Sequence, residues 1–235
     1  MIAKSKQKFE QEAQSIARLI RTSFSDVSLP AEVPIGALRQ RVNEQGCVEH
    51  YLLDDEEDAE MFFKGGNLRN TPKHWADFVG EPLHLWLATD EYSHLPLSPQ
   101  ARAYYLPAYL LTALMYLVDT LFVGDQKTER VDYRAVHSGM EMLTPPPGLD
   151  VWHALMVFPR ELLDPFNKDM SRLTRKEEFL RFVGQFNNAQ KRAIKMYVQF
   201  VLETTYFAEN RPGDGDQIAA LKKCWIEPAL QDGSE

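Results

Sequence analysis

The sequence predicts an all-α or predominantly helical single domain organised around a buried helix over 98–118. Apolar side chains recur at steps of three and four in segment after segment, the period of a helix face. The longest apolar run, SPQARAYYLPAYLLTALMYLV, opens on helix-start chemistry. Hydrophobic residues make up 44% and charged residues 26% of the 235, the composition of an ordinary globular chain, so long disordered stretches are not expected.

From the start, Phe9, Ala13, Ile16, Ile20 and Phe24 form one stripe, with Lys4, Lys6, Lys8, Arg18 and Arg21 off it, which predicts an amphipathic helix lying over the core. Pro30 and Pro34 break the chain, and Ala37 to Glu44 reads as a short second helix ending near Gly46. Minor strands are allowed near 48–53 and 130–143. Asp54, Asp55, Glu56, Glu57 and Asp58, with Glu60, form the sharpest charge run. Acids favour the first turn of a helix, and Ala59, Met61, Phe62 and Phe63 give such a helix something to bury before Gly65 and Gly66 end it. Trp75, Phe78, Val79, Leu83 and Trp86, interrupted at Gly80 and Pro82, predict two short helices.

In the central segment Ser98 is the expected N-cap and Pro99 the first helical residue, because the hydroxyl accepts an orphan amide and proline has none to lose. Ala101, Tyr104, Tyr105, Ala108, Leu111, Thr112, Met115 and Val118 mark one face, and Leu106, Tyr109, Leu110, Ala113, Leu114, Tyr116 and Leu117 the other. A helix apolar on both faces belongs inside a domain. From Leu106 to Val118 the run is shorter than the roughly 17 to 25 residues that span a bilayer. Pro107 predicts a kink, since it removes the bond to the Ala103 carbonyl.

Pro145, Pro146, Pro147 and Gly148 form the candidate linker, and 144–149 the candidate subdomain break; Trp152, Leu155, Met156 and Phe158 then resume buried character. Phe179, Leu180, Phe182, Val183 and Phe186 are one helical stripe. Asn187 with Gln190 forms a variant capping box, opening a second stripe through Ala189, Ala193, Met196, Tyr197, Phe200, Val201, Thr204 and Phe207. Lys191, Lys195, Gln199 and Glu203 stack on its wet face. This 174–207 hairpin is expected on the central helix, with Ile218, Leu221, Cys224 and Trp225 in a short final one.

The central segment also resembles the core signature of an uncharacterised family of small bacterial domains, in which leucine, serine or threonine, and proline open a helix reading YYLPAYLL. Leu97, Ser98 and Pro99, followed by Arg102 to Leu111, carry the likeness. Ile16 to Phe24, Leu143 to Pro146 and Phe179 to Leu202 match it more weakly. The resemblance implies a bacterial source and a mainly helical fold, and brings no activity with it.

A formal charge of −8 argues against a nucleic-acid backbone or an anionic membrane as the main partner and permits a basic protein. Cys47 and Cys224 are too few for a disulfide framework, and Glu10 and Glu12 interrupt what a secretory leader would need as an apolar run, so a cytoplasmic protein is expected. Two Glu-x-x-His spacings, Glu81 with His84 and Glu91 with His94, use a metal-ligand pattern. On one continuous helix they would lie about 15 Å apart, so neither a metal site nor a cofactor is expected. Cys47 with His50 lacks a second pair for zinc, and Gly213-Asp214-Gly215 lacks the lysine of a phosphate loop. Tyr104, Tyr105 and Tyr109 read as core rather than a ligand cage.

No catalytic residues are assigned. The leading expectation is a non-catalytic protein-binding module, concretely an immunity or antitoxin-like protein masking a basic toxin or effector through Asp54, Asp55, Glu56, Glu57, Asp58 and Glu60. The competing readings are a small hydrolase using carboxylates and whichever of His84, His94, His137 and His153 line a cleft, or a structural or regulatory component.

Overall fold

A computed structural model describes residues 6–29, 39–42, 48–51, 74–80, 98–122, 136, 139–157, 175–204 and 215–227, with 39–42, 48–51, 119–122 and 156–157 described by backbone alone. The architecture is predominantly α-helical. One hydrophobic cluster takes side chains from every described helix, and helix α2 (Pro99–Phe122) runs through it.

The start of α2 is the predicted one. Ser98 Oγ accepts the Ala101 N–H at 3.2 Å, and the Ser98 carbonyl accepts the Arg102 N–H at 2.8 Å. Ala101 and every residue from Ala103 to Leu114 are buried, Pro107 and Thr112 included. A fully buried large apolar side chain contributes about 1.5–3 kcal/mol, so this helix makes the largest contribution to burial of any described helix. Its buried threonine hydroxyl has work: Thr112 Oγ1 accepts the Gly80 N–H at 3.0 Å. That bond fixes the end of a tight helical turn, Trp75–Phe78, where Gly80 at φ +81° takes a conformation that a side chain would strain. Of the two short helices expected here, the first is this single turn; 81–97 lies outside the described residues.

Helix α1 (Lys6–Ser23) buries Phe9, Ala13, Ile16 and Ile20, the stripe read from sequence, against both α2 and the later helix α5 (Asn188–Leu202). The expected second helix at 37–44 is corrected. Strand β1 (Arg39–Val42) pairs antiparallel with β2 (Val48–Tyr51), in a register that sets Val42 opposite Val48 and Arg41 opposite Glu49. Few apolar residues support a helical period there, whereas the strand register sets β-branched and opposite-charge positions against one another. The allowance for a strand at 130–143 is corrected too: 136 and 139–143 are helical, burying Val136, Met140 and Leu143 at steps of four and three.

At the proline run, the Pro146 carbonyl accepts the Leu149 N–H at 3.2 Å and Gly148 adopts φ +71°. Leu143 before it and Val151 after it belong to the same core. Helix α3 (Val151–Val157) follows, then α4 (Arg175–Gly184), whose buried Phe179, Leu180, Phe182 and Val183 match the predicted stripe. Asn187 Oδ1 accepts the Gln190 N–H and Gln190 Oε1 accepts the Asn187 N–H, both at 2.9 Å, so the capping box is reciprocal. Helix α6 (Gly215–Leu221) runs on into a wider π-helical turn, Lys222–Ile226, which buries Cys224 and Trp225.

Two details of the hairpin differ from expectation. Helix α4 packs on α2, but α5 packs chiefly on α1 and the π turn. Because α5 is covered from those two sides, its buried sector takes in Gln190, Ile194 and Val198 and leaves Ala189 and Met196 exposed.

Candidate functional site

The residues the sequence singles out for partner contact, Asp54 to Asp58 and Glu60, lie outside the described residues, as do Cys47, Glu81, His84, Glu91, His94 and His137. His153 is described and exposed; its N–H donates to the Asp150 carboxylate at 3.2 Å, where Asp150 caps α3. Among the described residues, no group of three or more His, Cys, Asp or Glu could hold a metal ion.

The groups with chemical potential near α2 are tied into the fold. The Trp75 N–H donates to Tyr104 Oη at 3.2 Å, and the rings of Tyr104, Tyr105 and Phe78 meet edge to face. Burial raises the Tyr104 phenol, partly offset by that bond, and Asp77 raises it further. Burial also raises Tyr105, Tyr109 and, on α5, Tyr197. All four stay protonated at neutral pH, which suits packing and hydrogen-bond donation and rules them out as bases. His74 is consumed in a cap: its Nδ1 accepts the Ala76 N–H at 3.2 Å, while Asp77 Oδ2 accepts the His74 N–H at 2.9 Å. The Cys224 thiol is pushed up to about 12 by burial, so little thiolate is present to act as a nucleophile.

Where α2 meets α4, Arg102 pairs with Glu178 at 3.8 Å and its guanidinium lies 5.8 Å from the Phe182 ring centre. Arg181 on α4 is 0% exposed, the largest fully buried side chain described. A second seam fastens the C-terminal helix. Trp225 Nε1 donates to the Leu143 carbonyl at 2.7 Å, Trp152 Nε1 to the Cys224 carbonyl at 3.0 Å, and Gln217 Nε2 to Thr144 Oγ1 at 3.1 Å. Over Trp152 lies Lys191 Nζ, 5.3 Å from the ring centre, with its pKa lowered by burial. The exposed Asp150 carboxyl is held below its usual range, chiefly by the His153 N–H and then by Lys223 at 3.4 Å.

What reaches solvent is different in kind. Met115 on α2 is 50% exposed and Met196 on α5 39%, the large apolar side chains exposed among the described residues. Charge is segregated: α1 and α5 together hold seven lysines and arginines against two glutamates, a balance of +5, so the rest of the chain carries −13 within the overall −8. This arrangement can recognise charged surfaces. Comparisons with family models, with curated proteins and with solved structures return no match.

Sequence reasoning missed Arg181, because a charged residue inside a stripe reads as a solvated edge, and the Trp152–Lys191 stack, whose partners are distant in the chain. The pooled charge of α1 and α5 was readable in principle, since both helices were predicted, but only their packing adds one to the other.

Proposed function

We propose that this protein is a non-catalytic protein-binding module whose acidic run, Asp54 to Asp58 with Glu60, engages a basic surface on another protein. The observation that carries the reading is the charge balance: α1 and α5 net +5, the remainder of the chain nets −13, and its densest acidic part is that run. Five consecutive acids repel one another, and a basic partner relieves that repulsion as well as attracting them. The described tyrosines, His74 and Cys224 are occupied in packing and caps, which supports a scaffold role for the helices. The likeness of the central segment to small bacterial domains makes a bacterial toxin or secreted effector the concrete partner, with this protein as its cytoplasmic immunity or antitoxin-like inhibitor.

The test is association kinetics. A partner captured on the native chain and identified by mass spectrometry is measured against the parent and the Asp54→Lys, Asp55→Lys, Glu57→Lys triple variant at two salt concentrations. Complementary charge acts mainly on the encounter rate, so the variant associates at least about tenfold more slowly and with a flatter salt dependence. Equal rates for parent and variant remove the run from the interface.

A further inference from the structure

We infer that the outer face of α1 and α5 is a basic docking surface whose occupant is the acidic run of a second copy of this chain. The geometry is given by two ring contacts. Phe9 stacks on Phe200 at 4.7 Å, and Phe24 meets Phe186, just before α5, at 6.1 Å, so the two helices run antiparallel. Counting 1.5 Å per residue from the first contact sets Arg18 about 14 Å along α1 and Arg192 about 12 Å along α5. The two are level, on helices whose axes lie about 8–10 Å apart. At about 100° per residue, Arg18 falls opposite the stripe Phe9, Ala13, Ile16 and Ile20, and Arg192 and Lys195 fall on the side of α5 away from Ala193, Tyr197 and Val201. Arg21 lies one turn beyond Arg18.

Arg18, Arg21 and Arg192 are exposed and Lys195 half-buried, and among the described residues none of them has an ion-pair partner. The contrast is the start of α1, where Lys6 already pairs with Glu10 at 3.8 Å. From Ala13 to Ser23 the helix has no acid, and α5 has none over its whole length. Met196, 39% exposed, adds an adaptable apolar contact beside the charges.

Several occupants would match a basic face, and charge decides among them. A long polyanion would meet −13 on the rest of the chain as well as +5 here, whereas a short acidic segment can engage the face alone. Such a segment exists on every copy, with six acids in the seven residues 54–60. Net repulsion between two chains at −8 does not prevent this, because charges more than about 8 Å apart are largely screened at physiological salt and the local patches decide. Face to run is a heterologous contact, so the assembly grows head to tail unless its rotation closes a ring.

This inference rests on the run being a contact surface, as proposed above. The test is sedimentation velocity of the full chain over a hundredfold concentration range at low and high salt. Expected is a mass that rises with concentration at low salt and returns to the monomer at high salt. The paired variants Arg18→Glu with Arg192→Glu, and Asp55→Lys with Glu57→Lys, are each monomeric alone, and mixed together they form a one-to-one complex, because the first keeps its acidic run and the second keeps its basic face. A parent that is monomeric throughout overturns the inference, as does a parent assembly that either variant leaves intact. A monomeric parent that binds a short single-stranded DNA through Arg18 and Arg192 overturns it in favour of phosphate recognition. Should the face variant fold poorly, the run variant and the salt series decide. Slowed association of the run variant with its captured partner, seen with a monomeric parent, would leave the binding-module reading standing and remove only self-association.

Discussion

Helix α2 and the α1–α5 pair are built from opposite patterns. In α2, Ala101 and every residue from Ala103 to Leu114 are buried, and among its described side chains Met115 is the large apolar one exposed to solvent. In α1 and α5 one stripe is buried and the opposite side carries Arg18, Arg21 and Arg192 in solvent. The first is chiefly an interior element; the second carries cations that have no ion-pair partner among the described residues. If the proposed contacts are made, stability and recognition rest on different residues, and substitutions should separate them.

The largest effect should come from emptying the core at α2. Leu110 is 0% exposed, and Leu110→Ala should cost about 2–5 kcal/mol, read as a shift in the urea midpoint. A loss below 1 kcal/mol would show that α2 is not the centre of the packing. Alkaline pH should act on the same interior. Burial raises Tyr105, Tyr109 and Tyr197 above their unfolded values and takes Cys224 up to about 12, so above pH 9 to 10 the unfolded chain releases protons that the native state retains. The native state then binds more protons, and stability falls as pH rises. Their contribution is complete below pH 9 and is lost progressively above it; urea midpoints at pH 8 and pH 11 should differ, and equal midpoints would contradict the burial of these groups.

The sequence made the interior legible and the surface much less so. Ser98, Pro99 and the all-round apolar run announced α2, and the Asn187–Gln190 box announced α5, because caps and periodicity are local signals. Strand β1 was misread as helix because a four-residue strand is defined by pairing with another segment, which no local pattern reports. The face of α5 was misjudged at Ala189 and Met196 for the same reason: which flank is covered depends on α1 and the π turn. Of the candidate site, the acidic run was visible as composition, while the alignment of Arg18 with Arg192 needed the tertiary contact between their helices.

Smaller effects sharpen the contrast at its edges. Asn187→Ala removes one half of a reciprocal cap and should cost about 1 kcal/mol, within the 0.5–2 kcal/mol range of such losses. Pro107→Ala restores an N–H to α2 but removes ring atoms from a buried position, so the two effects oppose and the thermal midpoint should barely move. A large rise at unchanged helix content would mean that the surrounding core does not depend on it.

The separation of scaffold from recognition is tested most directly by one variant read in two ways. In the Asp54→Lys, Asp55→Lys, Glu57→Lys protein, the thermal midpoint should stay within a few degrees of the parent, and association with the captured basic partner should be at least about tenfold slower at low salt. A parent-like association rate with an intact fold would contradict it, and so would a collapse of the fold, which would place the run in the scaffold.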